Sequence, residues 1–477
     1  MKGYKKYLTF QHFPWISRFF KEVLCSVYVS FFIIGGIGIA LSSGQEYYRS
    51  DPGTTIIANG YAIANTSSTL SYFIPNKISE EFESFVSAII AGMQPSISIS
   101  DFCGEIQPYH NTGTDVSFLI QHCIDTARFA VVEVLPGKYT IAHQISITGK
   151  PITLRTLGKN VNMKRCSYGD THDCTELIAS SDFIDQEGLL VVRISGTHID
   201  HIILNGNKEG RYGSLAASKC KNGNNRFGFN MLISGTGSSF TNSVSKNALC
   251  GTGLEVSGAT ENINISNNSF AFNGIHNQRN LWADGLTVHD STNSKFSENE
   301  FLDNTDIDMI VGRCPGCSIQ HNTITHSNNF SNSSFAALML SVFRVDGNYT
   351  GADVSYNTID CGSQKRCGFG LYIGSDSWVE NFPFTNFGGA VHDNTIRNAQ
   401  QGVNIDEAYH ADPQHLMKIY NNVVEDNGSI SNTSCGVRST NAYNKGERSD
   451  FDNSKDSIGT TYTTSDWDGC IPNWWNQ

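Results

Sequence analysis

The chain has 477 residues, and Asp plus Glu outnumber Lys plus Arg by 45 to 33. The basic residues are scattered and do not form the stripe that phosphate binding requires, so a nucleic-acid partner is not expected. With 44 glycines and 16% charged residues, the composition also disfavours a helical protein, which at this length would carry more Lys, Glu and Leu.

The N-terminal region has the charge order of an export signal. An uncharged, largely apolar run at 23–41 follows five basic residues, which are Lys2, Lys5, Lys6, Arg18 and Lys21. A signal-peptide core has about 7–15 residues and a membrane-spanning helix about 20, so the run falls between the two. Residues 1–42 are therefore predicted to be a signal peptide or a signal anchor. The expected location is secreted, periplasmic or on the cell surface, with membrane attachment if the segment is not cleaved.

The cysteines agree with export. Cys25 lies in the apolar run, and the other twelve fall mostly in sequence-local pairs: Cys103 with Cys123, Cys166 with Cys174, Cys220 with Cys250, Cys314 with Cys317, Cys361 with Cys367, and Cys435 with Cys470. Disulfides formed in an oxidising compartment explain this spacing better than free thiols. A zinc knuckle at Cys314-Pro-Gly-Cys317 would need a second ligand pair, and none stands near it.

Residues 43–100 show little periodicity apart from an amphipathic stretch at 80–91, and they predict a linker or short helical collar. A helix is predicted at 116–127, where apolar residues recur at helical spacing after Thr114-Asp115. A strand at 131–134 and a turn at 136–139 follow it. The tail at 431–477 is predicted to cover the C-terminal end of the domain at 101–430.

After the turn at 136–139 the chain repeats itself irregularly. An Asn-x-apolar signature begins at Asn242, Asn268, Asn299, Asn322, Asn357, Asn394 and Asn422. A second strand-like segment lies in each interval, at 253–256, 285–288, 306–309, 337–340, 370–373 and 402–405. Short strands separated by Asn, Gly, Ser and Asp turns are typical of an all-β solenoid, in which corner asparagines can pair between coils. A β-sandwich would have more evenly spaced strands and no such corners.

The segment Asp115-Val-Ser-Phe-Leu-Ile-Gln-His-Cys-Ile-Asp-Thr-Ala127 and the following Val131-Val-Glu-Val-Leu-Pro-Gly-Lys-Tyr-Thr140 resemble the opening of right-handed parallel β-helices of the pectate-lyase-like superfamily. The resemblance spans residues 101–430 and implies that fold, with the N-terminal helix capping it. It does not select a reaction, because the superfamily includes lyases, hydrolases, epimerases and non-catalytic adhesins.

Aligning the second strands by their apolar positions predicts one outward residue per coil, in a row of Glu255, Thr287, Asp308, Met339, Tyr372 and Asn404. Mostly small residues near the start of these strands would leave an open trough along the solenoid for an extended glycan. Alternation along one strand places Asp306 and Asp308 on the same face, with Asp284 and His289 one coil away. Crowded carboxyl groups raise one another's pKa, which allows one acid and one base at neutral pH.

Ala283-Asp-Gly-Leu-Thr-Val288 and Asn304-Thr-Asp306 are also similar to the catalytic strands of polygalacturonase-type hydrolases. The convergence of these side chains itself predicts glycoside hydrolysis with Asp284, Asp306 and Asp308 as the acids and His289 assisting, and the spacing of Asp306 and Asp308 favours inversion. The family's Gly-His-Gly and Arg-Ile-Lys segments are absent. Substrate contacts are predicted at Glu255, Arg279, Trp282, Thr287, Arg313, Arg344 and Tyr372, with the arginines as clamps for a substrate carboxylate.

Two alternatives remain open at this point. A polysaccharide lyase or uronate C5-epimerase would use a base such as His289. A non-catalytic surface glycan receptor or adhesin would bind without turnover. Asp306 and Asp308 also resemble calcium ligands, so the sequence leaves Ca²⁺ open as a cofactor.

Overall fold

The computed structural model describes residues 113–127, 130–169, 172–275, 281–327, 334–342, 346–375, 386–405 and 417–425, together with short strands outside these ranges. Contacts divide the chain into two compact units, Met1–Pro95 and Ser96–Gln477.

The first unit contains antiparallel strands. Tyr28–Ile33 pairs with Ile37–Ser42 inside the apolar run that predicts a signal segment. Among the described residues, no helix is long and apolar enough to cross a membrane. Export and membrane attachment through residues 1–42 therefore stay predictions.

A four-stranded sheet lies within the predicted linker. Its strands are Arg49–Ser50, Gly53–Ala58, Tyr61–Thr66 and Thr69–Tyr72. Ala58 is in register with Tyr61, so the intervening Asn-Gly pair is the dipeptide that favours a two-residue hairpin. That dipeptide was the available signal for a sheet here. The amphipathic stretch at 80–91 lies outside the described residues.

The second unit is built from three parallel sheets. Sheet 1 comprises Ile145–Ile147, Leu190–Val192, Met231–Ile233, Gly251–Glu261, Ala283–Thr292, Ile307–Arg313, Ser334–Val342, Cys367–Ser375, Gln401–Ile405, Val437–Ser439 and Thr461–Tyr462. Sheet 2 comprises Ile97–Ser98, Val131–Val134, Thr153–Thr156, His198–Asp200, Ser239–Thr241, Asn264–Ser266, Lys295–Ser297, Ser318–Gln320, Asp353–Ser355, Ala390–His392 and Lys418–Tyr420. Sheet 3 comprises Gly137–Ile141, Thr175–Ala179, Ile202–Asn205, Val244–Lys246, Ser269–Ala271, Glu300–Leu302, Thr323–Thr325, Thr358–Asp360, Thr395–Arg397 and Val423–Glu425.

The chain passes from sheet 1 to sheet 2 to sheet 3 and back in each coil. This arrangement confirms the parallel β-helix, and it fits the right hand that parallel crossovers favour. Inward side chains stack from coil to coil into one continuous apolar core, in which the rings of Phe270 and Phe301 lie 5.0 Å apart. Sheet 1 continues beyond residue 430 through Val437–Ser439 and Thr461–Tyr462, where the sequence predicted a cap. A short parallel pair, Gly347–Asn348 with Asn386–Phe387, completes the strands of this unit.

The predicted asparagine pairing is present along one corner. Each Nδ2 donates to the Oδ1 of the next asparagine at 2.9–3.0 Å. The members of this ladder are Asn268, Asn299, Asn322, Asn357, Asn394 and Asn422. Because each amide also donates to a backbone carbonyl, the ladder satisfies buried polar groups that would otherwise cost stability.

Asn242 does not belong to this ladder. Val244 is in register with Ser269, which aligns Asn242 with Asn267 and puts Ser243 in the ladder position. The Ser243 amide donates to Asn268 Oδ1 at 3.0 Å. The Asn-x-apolar pattern misled here because Val244 packs outside the main core, against Cys166 and Cys174.

Helices are few in the described part of this unit. Helix α1 spans Ser117–Thr126, within the predicted 116–127, and buries Ile120, Cys123 and Ile124 in the solenoid core. Helices α2 and α3 span Lys208–Arg211 and Leu215–Lys221, and a 3₁₀ turn spans Asn225–Phe227.

Four predicted disulfides are present. They join Cys166 to Cys174, Cys220 to Cys250, Cys314 to Cys317, and Cys361 to Cys367. Cys123 is also disulfide-bonded, and its predicted partner Cys103 lies outside the described residues. Cys435 and Cys470 lie outside them as well. Disulfide formation at Cys314-Pro-Gly-Cys317 agrees with the sequence argument against a zinc knuckle.

Candidate active site

The outward row on sheet 1 differs from the prediction at one coil. Glu255 is in register with Thr287, and Thr287 with Ile310. Ile310 in turn is in register with Met339, followed by Tyr372 and Asn404. Ile310 therefore occupies the place that the sequence assigned to Asp308.

Asp308 faces the interior, so its predicted role as an outward acid is wrong. It takes the inward register position held by Gly285 in the previous coil and is completely buried. Its carboxylate accepts a hydrogen bond from Asn304 Nδ2 at 2.9 Å and lies 2.7 Å from His326 Nε2. The spacing of Asp306 and Asp308 was the basis for predicting inversion, and with Asp308 buried that spacing no longer supports it.

His326 is an important residue that the sequence argument missed. It is fully buried and also lies 3.6 Å from Asp303, so it bridges two carboxylates. Burial alone would lower the pKa of His326, but the Asp308 charge and the bonds to both acids raise it to about 9. The sequence held a signal for this contact. His326 stands four residues after Asn322, as Asp303 does after Asn299, so the repeat places the two residues at equivalent positions in successive coils.

The predicted open trough is closed over much of this face. Ile310, Met339 and Tyr372 are 4%, 0% and 5% exposed, and they belong to an outer apolar cluster with Phe335 and Phe369. Tyr372 packs edge-on against Phe369, with ring centroids 5.2 Å apart. Tyr372 is thus not the accessible sugar-stacking platform that was predicted.

Asp284 and Asp306 form the remaining pair of acids. Both are half-buried, and they occupy successive coils, where the Asp306 amide donates to Ala283 O and the Ile307 amide donates to Asp284 Oδ1 at 3.1 Å. Burial, followed by repulsion from Asp306, raises the pKa of Asp284 well above its ordinary value. Burial raises the pKa of Asp306 to about 6.

Hydrogen bonds to Asp284 limit the rise in its pKa. Thr287 Oγ1 donates to Asp284 Oδ2 at 2.7 Å, and together with the bond from the Ile307 amide it lowers the pKa of Asp284. Burial and the repulsion from Asp306 outweigh both bonds, so the pKa of Asp284 stays well above its ordinary value.

A second polar pair lies beside this one. His289 Nε2 is 3.3 Å from Glu255 Oε1, and both side chains are largely buried. Burial alone would raise the pKa of Glu255, but the hydrogen bond and charge of His289 bring it below its ordinary value. The structure therefore brings together Glu255, Asp284, Thr287 and His289 on sheet 1, and Asp306 lies close enough to Asp284 for its charge to act on it.

The other predicted contacts divide into three groups. Trp282 is 41% exposed and stands two residues before Asp284, so alternation points both to the same face. Arg313 is occupied by two carboxylates, Asp290 at 3.0 Å and Asp346 at 3.0 Å. Arg279 and Arg344 lie outside the described residues.

Within the described ranges, no group of three or more His, Cys, Asp or Glu side chains is arranged to hold a metal ion.

Comparisons with known proteins give distant likenesses. No protein-family model matches the chain, and no curated protein matches it. Among solved structures, an alginate lyase from Paenibacillus sp. str. FPU-7 is 12% identical with a TM-score of 0.44, over 66% of this chain and 94% of that one. The A-module of an Azotobacter vinelandii mannuronan C-5 epimerase is 14% identical with a TM-score of 0.44, over 77% of this chain and 84% of that one. The Dettilon tailspike protein is 10% identical with a TM-score of 0.44, over 78% of this chain and 69% of that one. At these identities and TM-scores the likenesses assign no activity to the chain.

Proposed function

We propose that this chain is an exported enzyme that hydrolyses a polysaccharide, with Asp284 as the general acid and Asp306 as the general base. The observation that carries the proposal is the pair of half-buried acids, Asp284 and Asp306, on successive coils of sheet 1. Burial and the charge of Asp306 raise the pKa of Asp284 and favour its protonated form, and the pKa of Asp306 of about 6 leaves its carboxylate ionised at neutral pH.

The reaction needs both protonation states at once. Asp284 donates its proton to the glycosidic oxygen as the bond between that oxygen and the anomeric carbon breaks. A water molecule attacks the anomeric carbon, and the Asp306 carboxylate takes a proton from that water. Both acids are then restored when the proton returns from Asp306 to Asp284.

Other features support a glycan substrate and export. The exposed Trp282 ring offers an apolar surface for a sugar ring beside the acids. The net charge of −12 opposes binding to nucleic acid. Four disulfides in the described residues fit an oxidising compartment outside the cytoplasm.

The contact between His289 and Glu255 favours a second candidate. An imidazole held by a carboxylate can act as a base, and removal of the proton beside a uronate carboxylate would give β-elimination or C5-epimerisation. Both reactions require an acidic sugar, whereas hydrolysis does not.

The test is to incubate the secreted full-length chain with a panel of neutral and acidic polysaccharides. We expect new reducing ends without an increase in ultraviolet absorbance. Products that absorb in the ultraviolet would establish elimination instead. Binding without any product from any polymer would contradict an enzyme and leave a glycan receptor.

A further inference from the structure

We infer that the site accepts the end of a glycan chain, so that the enzyme removes terminal sugars and does not cut within the chain. This inference rests on the proposed hydrolysis and adds the form of the substrate. Its basis is the burial of the sheet 1 residues that surround Asp284.

The neighbouring coils close the site along the solenoid axis. Thr252, in register with Asp284 in the previous coil, is 2% exposed. Leu286 is in register with Met309, so Ile307 takes the same position in the next coil, and it is 1% exposed. Coils stand about 4.8 Å apart, which is close to the length of one sugar in a chain. A chain along the axis would therefore have to pass over Thr252 or Ile307, and both are covered.

The covered surface continues on both sides of the acids. In the following coils, Ile307 is in register with Ala336 and Ala336 with Phe369, and both of these residues are buried. In the preceding coils, Leu232 is in register with Glu255, and both are buried as well. The described part of sheet 1 thus offers no groove on either side of the acids in which an extended chain could lie.

The strand that carries Asp284 closes a third side. Thr287 is buried and donates to the Asp284 carboxyl group. Beyond it, the largely buried His289 side chain is held 3.3 Å from Glu255. In the opposite direction along the strand, Trp282 is exposed. The Asp284 carboxyl group is therefore reached from the Trp282 side, where a sugar ring can lie against the indole.

A site that opens on one side fits a terminal sugar. Every bond within a chain has further sugars on both sides, so one of the two flanking segments would have to run over Thr252, Ile307 or Thr287, which are buried. At a chain end, a single sugar lies beyond the bond that Asp284 protonates, and the rest of the chain leaves over Trp282. The burial pattern therefore favours removal of sugars from chain ends.

The binding experiment varies the number of chain ends at constant polymer mass. Galactan, mannan, xylan, polygalacturonate and alginate are each tested intact and after partial acid hydrolysis, with the Asp284→Asn variant so that no further cleavage occurs. We expect the amount of protein bound at saturation to rise in proportion to the chain ends, which are counted as reducing ends. A capacity that follows polymer mass and ignores the number of ends would overturn the inference.

The cleavage experiment follows product length on the polymer that the wild type hydrolyses. We expect mono- or disaccharides from the start, with little loss of viscosity while reducing ends accumulate. Long fragments and an early fall in viscosity would overturn the inference and leave hydrolysis by the two acids intact. Binding in proportion to chain ends without any product would contradict the proposed enzyme and leave the chain-end preference intact.

Two matched variants test the entrance to the site. Trp282→Ala removes the exposed ring beside Asp284 and should weaken binding of the acid-shortened chains by about threefold to tenfold. Tyr356→Ala removes an exposed ring that follows the sheet 2 strand Asp353–Ser355, and this control should bind as the wild type does. Equal affinities in the two variants would contradict entry of the chain end over Trp282.

Discussion

Thr287 Oγ1 donates a hydrogen bond to Asp284 Oδ2 at 2.7 Å. A donor stabilises the ionised form of a carboxyl group, so this bond lowers the pKa of Asp284 against the burial and the repulsion from Asp306, which raise it. Thr287 therefore sets how far the pKa of the proposed acid rises.

The Thr287→Val variant tests this role. Valine keeps the shape and removes the donor, so the pKa of Asp284 should rise and the alkaline limb of the activity profile should move to higher pH. The profile is measured as kcat against pH, with Ser297→Ala on sheet 2 as the control. A shift of the limb to lower pH would contradict donation from Thr287 to Asp284.

The wild-type enzyme should have a bell-shaped pH profile. Activity should fall below a pH of about 6, where Asp306 becomes protonated and can no longer act as a base. It should also fall at alkaline pH, where Asp284 loses its raised-pKa proton. A profile that stays flat between pH 4 and pH 8 would contradict the pairing of these two acids.

His326 should make stability depend on pH. Its folded pKa of about 9 exceeds the ordinary unfolded value of about 6.5, so its stabilisation is complete below about 6.5 and is lost as pH rises through about 9. The size expected from this difference is on the order of 3 kcal/mol. Denaturant unfolding of the wild type and of His326→Gln at pH 6 and pH 10 measures it.

The two buried partners should also be coupled. His326→Gln leaves Asp308 buried without its cation and should cost about 3–5 kcal/mol at pH 6, whereas the His326→Leu, Asp308→Asn double variant should recover part of that loss. If the double variant is less stable than the sum of its single changes predicts, the pair is not the stabilising contact described.

The asparagine ladder should be costly to interrupt. Asn322→Ala removes the bonds to Asn299, Asn357 and the Phe296 carbonyl, all of them buried, and should reduce the free energy of unfolding by about 3–5 kcal/mol. Asn162→Ala, at an exposed position, is the control and should stay within about 0.5 kcal/mol. Equal effects at both positions, read from denaturant unfolding, would contradict a ladder role.

The fold was predictable because each coil repeats the same corner chemistry. Asn299, Asn322 and Asn357 stand at equivalent corners, and the apolar residues after them point to one core. The register within sheet 1 was harder to predict. Either Asp306-Ile-Asp-Met309 or Asp308-Met-Ile-Val311 can be aligned with Gly285-Leu-Thr-Val288. The two alignments differ by two residues, and because side chains on a strand alternate with a period of two, both keep each side chain on a permitted face.

That ambiguity explains which site residues the sequence could reach. Asp284 and His289 flank Gly285-Leu-Thr-Val288 within the strand Ala283–Thr292, whose register with Gly251–Glu261 is the one that the sequence predicted. Asp308 was not placed correctly, because only its bonds to Asn304 and His326 reveal that it points inward. The burial of Tyr372 depends on packing against residues of another coil such as Phe335, and no local sequence pattern predicts such a contact.

The most direct test of the central claim is the hydrolysis rate of Asp284→Asn and Asp306→Asn, measured separately on the polymer that the wild type cleaves. Asparagine keeps the size of each side chain and cannot exchange the proton, so each variant should lose at least about 10²-fold in kcat while still binding the polymer. Asp353→Asn should retain full activity. Retention of more than about half the wild-type rate by either site variant would contradict an acid and base formed by Asp284 and Asp306.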